Sequence, residues 1–206
     1  MSAAVLTRFK TWKILTTPPM SGPDNMAYDV STMQNMHNED RPPVLRFFRW
    51  VRPAVSYGKH QRLDGLRTFI PSGWETIQRP TGGGAGLHDQ DLCLSLCWRA
   101  GQPPLPTALK DVYGWIHTVI LQALPPLSHA RLADCRDCKT LAPFSTRHCF
   151  NEPVAFDILS GRRKITGGAI CRQKSVFLYQ GSLQDFDDAA LQSRLEDAFQ
   201  RALLPS

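Results

Sequence analysis

Along PDNMAYDVSTMQNMHNED, residues 23–40, Met26, Val30, Met33 and Met36 recur at helical spacing, with His37 beside the last of them. Side chains three or four residues apart share one face of a helix, so this stretch predicts an amphipathic helix, with Asp24 placed as its cap. The longest helical pattern is TALKDVYGWIHTVILQAL, residues 107–124, where Leu109, Val112, Ile116, Val119, Ile120 and Ala123 form one stripe. A third amphipathic pattern, DDAALQSRLEDAFQRALL, runs from Asp187 to Leu204. Between the helices the period shortens. VLRFFRWV (44–51) and AVSYGKHQ (54–61) are strand-like, with Pro53 between them. WETIQ (74–78) and LCLSLCW (92–98) read as buried strands, and residues 152–183 read as three strands, a hairpin turning at Gly161 followed by a third strand after Gln173. There is no internal repeat. The pattern predicts a mixed α/β (α+β) domain over residues 1–206.

Composition narrows this reading. At 206 residues and 42% apolar content, the chain suits one well-packed domain. Its longest apolar runs, such as VILQALPPL at 119–127, fall short of the roughly 18 to 20 residues that span a bilayer. The first twenty residues carry Arg8, Lys10 and Lys13 ahead of any long apolar core, a poor match to a secretory signal, so a cytoplasmic protein is expected. Six cysteines in a chain of this size do not amount to a disulfide framework and are read as reduced thiols. Cys135 and Cys138 form a C-x-x-C, but the second pair of ligands that zinc needs would have to be the adjacent His148 and Cys149, an awkward tetrahedral geometry. Surface thiols and no metal are therefore expected. The balance of 24 Lys and Arg against 18 Asp and Glu, formally +6, suggests an acidic partner. The basic residues lie in short clusters such as RFFRWVR and GRRK, without a nucleic-acid motif, so an acidic protein suits the charge as well as a nucleic acid or membrane does.

One stretch resists a purely structural reading. RPTGGGAGLHD, residues 79–89, has three consecutive glycines but neither the G-x-G-x-x-G nor the G-x-x-x-x-G-K-[ST] spacing of a phosphate cradle. A flexible linker is also a poor description, because strand-like segments flank the loop on both sides. The glycines belong inside the domain.

Taken in order, RWVRPAVSYGKHQ, RPTGGGAGLHDQDLCLSL and DILSGRRKITGGAICRQKSVFLYQGSL resemble the lipoate-protein ligase and octanoyltransferase family. The resemblance runs from DNMAYD near the start to the final helix. It implies a single mixed-sheet catalytic domain related to the biotin-protein ligases, acting on lipoyl or octanoyl groups destined for a lysine on a lipoyl domain. It implies that Gly82, Gly83 and Gly84 line an acyl tunnel, letting backbone approach an apolar tail where side chains would clash. RHCFNEPVAFDI is similar to the CF motif of octanoyltransferases that use a cysteine nucleophile, which makes Cys149 the candidate nucleophile, although a free cysteine is ordinarily a small buried hydrophobe. Lys164, in GRRKITGGA, stands at the family's lysine; a cation near Cys149 would favour the thiolate and stabilise an oxyanion. Gly167, Gly168 and Ala169 are then expected to keep backbone close to the ligand, and Arg79 and His88 to face the ligand or the acceptor lysine. Gln78, Gly86, Gly168 and Gln180 depart from residues common among relatives.

The resemblance thus implies octanoyl transfer from acyl carrier protein through an acyl-cysteine, without a cofactor. The acceptors would be lipoyl domains of 2-oxoacid dehydrogenase E2 subunits or the glycine cleavage H protein, with no nucleic acid or membrane partner. Two other readings remain open: an ATP- and Mg-dependent lipoate-protein ligase catalytic subunit, and a non-catalytic protein that binds lipoyl domains.

Overall fold

The computed structural model describes residues 11–125, 129–134, 136–138, 143, 147–184, 186 and 189–203. Its strands divide between two sheets. The larger has seven strands in the order β1 (Lys13–Thr16), β2 (Val44–Phe48), β6 (Leu92–Arg99), β10 (Val176–Leu183), β9 (Arg163–Gln173), β8 (Ile158–Ser160) and β7 (Ala130–Leu132). The smaller runs β4 (Glu75–Gln78), β3 (Ala54–Tyr57), β5 (Gly86–His88). Each sheet contains one parallel pair, β1 with β2 and β3 with β4, among antiparallel neighbours. This is the mixed α/β architecture that the sequence pattern predicts.

The central strands are largely buried because both faces of the large sheet are covered, and among their apolar residues they bury Arg46, Ser95, Gln180 and Ser182. Side chains alternate across a strand, so Leu92, Leu94, Leu96 and Trp98 of β6 face one core while Cys93 and Cys97 face the other side. The first core is closed by α2 (Leu109–Ala123) and α3 (Ala189–Leu203), with Ile116, Ile120, Leu195 and Phe199 packed against Leu45 and Phe47. Burial of each such side chain contributes about 1.5–3 kcal/mol. The opposite face is covered by α1 (Gly22–Asn38), whose Met33 and Met36 meet Val176 and Leu178 while Met26 meets Phe48 and Trp50.

Several local expectations shift. The α1 cap is Ser21, not Asp24: the Asp24 backbone N–H donates to Ser21 Oγ at 3.3 Å, and Ser21 Oγ donates to the Asp24 carboxylate at 2.6 Å. Val30 is only half-buried, and α1 instead buries Asn25 and Asp29, which together hold the guanidinium of the fully buried Arg46. Leu109, the first residue of α2, is exposed rather than part of its apolar stripe. β2 ends at Phe48 and β3 at Tyr57, shorter than the predicted runs, and β4 is half-buried because its sheet is small and lies apart from the main core. The hairpin turn at Gly161 and the third strand after Gln173 lie where the pattern puts them. Among the described residues no helix is long and apolar enough to cross a membrane.

Candidate active site

The glycine run connects β4 to β5, and Arg79 organises it from within. The Arg79 guanidinium donates to the backbone carbonyls of Gly82 and Gly84, both at 2.9 Å, and to Ser56 O and Oγ at 2.9 and 2.7 Å. The loop's carbonyls are thereby turned onto a half-buried cation. Gly83 has φ +87°, a left-handed conformation that favours glycine, and a side chain there would point towards Ala169. The three glycines do different things. Gly83 lines the neighbouring cavity, Gly82 is absent from its wall and faces open space, and Gly84 abuts the backbone of Arg147 and Cys149.

That contact carries the chain of the candidate nucleophile. Ala85 N–H donates to Arg147 O at 2.9 Å and Cys149 N–H donates to Ala85 O at 2.7 Å, so residues 147–149 extend the small sheet as a bridged segment beside β5. Cys149 is half-buried and lines a cavity of about 480 Å³. Met26, Phe48, Trp50, Phe150 and the backbone of Gly83, Gly167, Gly168 and Ala169 make most of the remaining wall apolar.

Lys164 approaches from the other sheet. A register shift between β8 and β9 beside Ile158 and Leu159 sets the local pleat at Lys164. Its side chain then runs across Gly167, where an added Cβ would lie 2.2 Å from Lys164 Cε. Gly167 is the trough in which the lysine lies. Gly168 clears the ring of Tyr179 in the same way, so these two glycines make room for the protein's own side chains as well as bordering the cavity. Lys164 Nζ donates to Cys149 Sγ at 3.6 Å and pairs with Asp157 Oδ2 at 2.7 Å. Burial opposes the lysine's charge, but the attraction of Cys149 and Asp157 outweighs it and the pKa is pushed up. Asp157 also accepts from Tyr113 Oη at 2.6 Å and from the Val154 backbone N–H at 2.7 Å. His117 packs against Tyr113 and is pushed down to about 3, first by burial and then by the Lys164 charge, so it is neutral.

His88 borders the cavity but is committed on both ring nitrogens: Nε2 meets Ser56 Oγ and Nδ1 meets Asp91 Oδ2, each at 2.6 Å, while the ring stacks on Trp50. Arg79 donates to Ser56 Oγ, which also meets His88, so the hydroxyl links the guanidinium to the imidazole. Asp91, His88, Ser56 and Arg79 are one relay that ends on the glycine loop. Arg79 and His88 both border the cavity, and each also takes part in the hydrogen bonds that hold the loop. Cys93 Sγ lies near the same carboxylate, and His88, Asp91 and Cys93 hold their donor atoms within 4.8 Å of one another, a metal-type set whose members are here hydrogen-bonded together. Cys138 is exposed; Cys135 lies outside the described residues.

The structure thus brings Cys149, Lys164, Gly83, Gly167, Gly168 and Ala169 together. It adds Asp157, Tyr113, Ser56, Asp91 and Gln180, whose amide bridges Asp29 to Thr81 beside the glycine run. A lone carboxylate inside the apolar run VAFDIL is a readable sign for Asp157, since a buried charge needs a partner. Nothing in the local pattern marks Tyr113.

Residues 21–201 match the family described as the lipoyl protein ligase A/B catalytic domain. The chain is similar to the octanoyltransferase LipM of Kyrpidia tusciae, 31% identical over 189 residues, covering 88% of this chain and 69% of that protein. It is also similar to the LipM of Symbiobacterium thermophilum, 32% identical over 191 residues, covering 89% of this chain and 69% of the relative. The LipM of Carboxydothermus hydrogenoformans is 30% identical, and this chain spans 65% of its length. Among solved structures, a Thermoplasma acidophilum putative lipoate protein ligase with bound lipoic acid superposes with a TM-score of 0.69 at 20% identity, covering 93% of this chain and 85% of that one. A lipoate-protein ligase A bound with ATP gives 0.68 at 19% identity, with the same coverages.

Proposed function

Because this chain belongs to the lipoyl protein ligase A/B catalytic domain family, we propose that it is an octanoyltransferase of protein lipoylation, working through an acyl-cysteine at Cys149. The observation that carries this reading is the Cys149 sulfur on the wall of an apolar cavity with a buried lysine ammonium 3.6 Å away. The octanoyl chain lies in the cavity. The Cys149 thiolate attacks the donor's thioester carbonyl, a carbon–sulfur bond forms, and the tetrahedral intermediate expels the carrier thiolate, which takes up a proton. The acceptor lysine's neutral amine then attacks the acyl-cysteine; the amide forms, the Cys149 thiolate leaves, and the amine loses its proton. Exchange of one thioester for another is nearly isoenergetic, so the first step needs no ATP.

The donor in this reading is acyl carrier protein, and the acceptors are lipoyl domains of 2-oxoacid dehydrogenase E2 subunits or the glycine cleavage H protein. Similarity to LipM octanoyltransferases supports octanoyl as the cargo. Intact mass spectrometry of the purified protein tests the reading. Octanoyl-acyl carrier protein without ATP adds one octanoyl mass to the protein. Free octanoate with ATP and Mg adds none; ATP-dependent transfer of free octanoate to a lipoyl domain, with no octanoyl mass on this protein from either donor, would make it a ligase, since ATP activates a carboxylate as an acyl-adenylate.

The cavity wall supplies a second test. Gly83→Val places a β-branched side chain at φ +87° and within reach of Ala169. Acylation is expected to fall by roughly tenfold or more, since an obstructed site loses on the order of 1–3 kcal/mol of binding, while the circular dichroism spectrum stays native. Undiminished acylation would place the acyl chain elsewhere.

A further inference from the structure

The apolar cavity has a reacting end and a far end, and the strand register locates both. Lys164 Nζ, 3.6 Å from Cys149 Sγ, lies over Gly167. From Gly167 the wall continues along β9 through Gly168 to Ala169, which pairs across with Gln180 of β10. Gln180 is fixed there by Asp29 and Thr81, and its amide also meets Met26 Sδ at 3.5 Å. Met26 of α1 is thereby placed two residues along the strands and one strand across from the lysine head, roughly 7 Å by 5 Å. An extended chain advances roughly 1.2 Å per bond, so the carbons of an octanoyl group span roughly 8 Å. A tail whose carbonyl carbon sits at Cys149 ends against Met26.

Beyond Met26 the space opens again. A surface groove of about 1150 Å³ is lined by the buried Met33, the half-buried Val30, Pro80 and Cys171, and the exposed Lys59 and Arg172. Cys171 stands two residues past Ala169, on the same face of β9, so the groove continues the line of the cavity. Met26 and Arg79 line both spaces and form the partition between them. Arg79 is held by four hydrogen bonds to Ser56, Gly82 and Gly84. Met26, buried against Phe48 and Trp50, is an unbranched side chain that ends in a soft sulfur and a methyl group. Shortening it joins the cavity to the groove, where a longer tail meets Val30, Met33 and Cys171. We propose that Met26 is the end wall that limits the acyl chain to about eight carbons, so that one helix residue sets the chain length the enzyme accepts. This rests on the octanoyltransferase reading.

The test is a competition. Octanoyl-, decanoyl- and dodecanoyl-acyl carrier protein are supplied together at equal concentrations without ATP, and the adducts on Cys149 are resolved by intact mass at short times. With wild-type protein the octanoyl adduct is expected to form roughly 10² times faster than the dodecanoyl adduct, because the added methylenes meet a closed wall. In Met26→Ala that ratio falls by roughly tenfold or more. Met26→Val keeps more of the side chain, guards against a folding defect in the alanine variant, and moves the ratio in the same direction by less. Wild-type protein that takes dodecanoyl as fast as octanoyl would overturn the proposal. So would variants that keep the wild-type ratio, whatever their absolute rates, and if the alanine variant takes up no chain at all, the ratio in Met26→Val decides. An unmoved ratio in proteins that are still acylated leaves the octanoyltransferase reading standing, whereas wild-type protein acylated by none of the three donors would overturn that reading and this proposal with it.

Discussion

Cys149→Ala is expected to abolish the octanoyl adduct and to lower transfer to a lipoyl domain by roughly 10³ or more, the scale of losing a covalent nucleophile. The substitution is mild for the fold. Cys149 is half-buried, and the interaction that fixes its position is its backbone N–H donating to Ala85 O, which alanine retains. The lost group is thus the sulfur alone. Cys149→Ser keeps size and hydrogen bonding but offers a hydroxyl, which ionises far less readily than a thiol, while His88 is committed to Ser56 and Asp91, and His117 to Tyr179. Serine is therefore expected to be nearly as inactive as alanine. Rates come from single-turnover transfer of radiolabelled octanoyl from acyl carrier protein to a lipoyl domain, with the adduct followed by mass. Transfer by the alanine variant at the wild-type rate would end the covalent mechanism.

Lys164→Ala is expected to slow both half-reactions by roughly 10², the scale of one lost oxyanion donor. The ammonium 3.6 Å from Sγ faces negative charge at three stages: on the attacking thiolate, on the first tetrahedral oxygen, and on the second as the acceptor amine adds. Removing it also strands a buried Asp157 carboxylate, which threatens stability for a reason unrelated to catalysis. The decisive variant is therefore Lys164→Ala/Asp157→Asn, which removes both charges. If its thermal midpoint approaches the wild type while both half-reactions remain slow, the lysine acts on the chemistry. Lys164→Arg should not rescue: the lysine fits because Gly167 lacks a Cβ, and a wider planar guanidinium does not follow that track. Native rates in both half-reactions for the double variant would reduce Lys164 to a packing element.

Periodicity was enough for the three helices and the β8–β9–β10 hairpins, because each is a local pattern whose apolar face is repeated several times. Motif order was enough to bring Cys149 and Lys164, fifteen residues apart, to the same site. The meaning of the glycines was less legible. A glycine in a motif says that something approaches its Cα, not what approaches. At Gly83 it is the cavity, at Gly84 the backbone of Cys149, at Gly167 the side chain of Lys164. Arg79 is ambiguous for a related reason: a basic residue flanking a loop looks the same in one dimension whether it borders a cavity, holds the loop's carbonyls or, as here, does both. Tyr113 was invisible because its role depends on a helix docking 44 residues before its partner Asp157.

Cys149 and Lys164 belong to different sheets. Cys149 hangs from Ala85 at the margin of the three-stranded sheet, whereas Lys164 is built into the seven-stranded one. Their separation therefore measures how the two sheets sit against each other, and small relative displacements, too slight to melt either sheet, change the contact between sulfur and ammonium. Catalytic competence is in this sense a strain gauge set across the seam. Partial unfolding that begins at the small sheet silences the enzyme while most of its hydrogen-bonded backbone, and all of its α2–α3 core, is still in place.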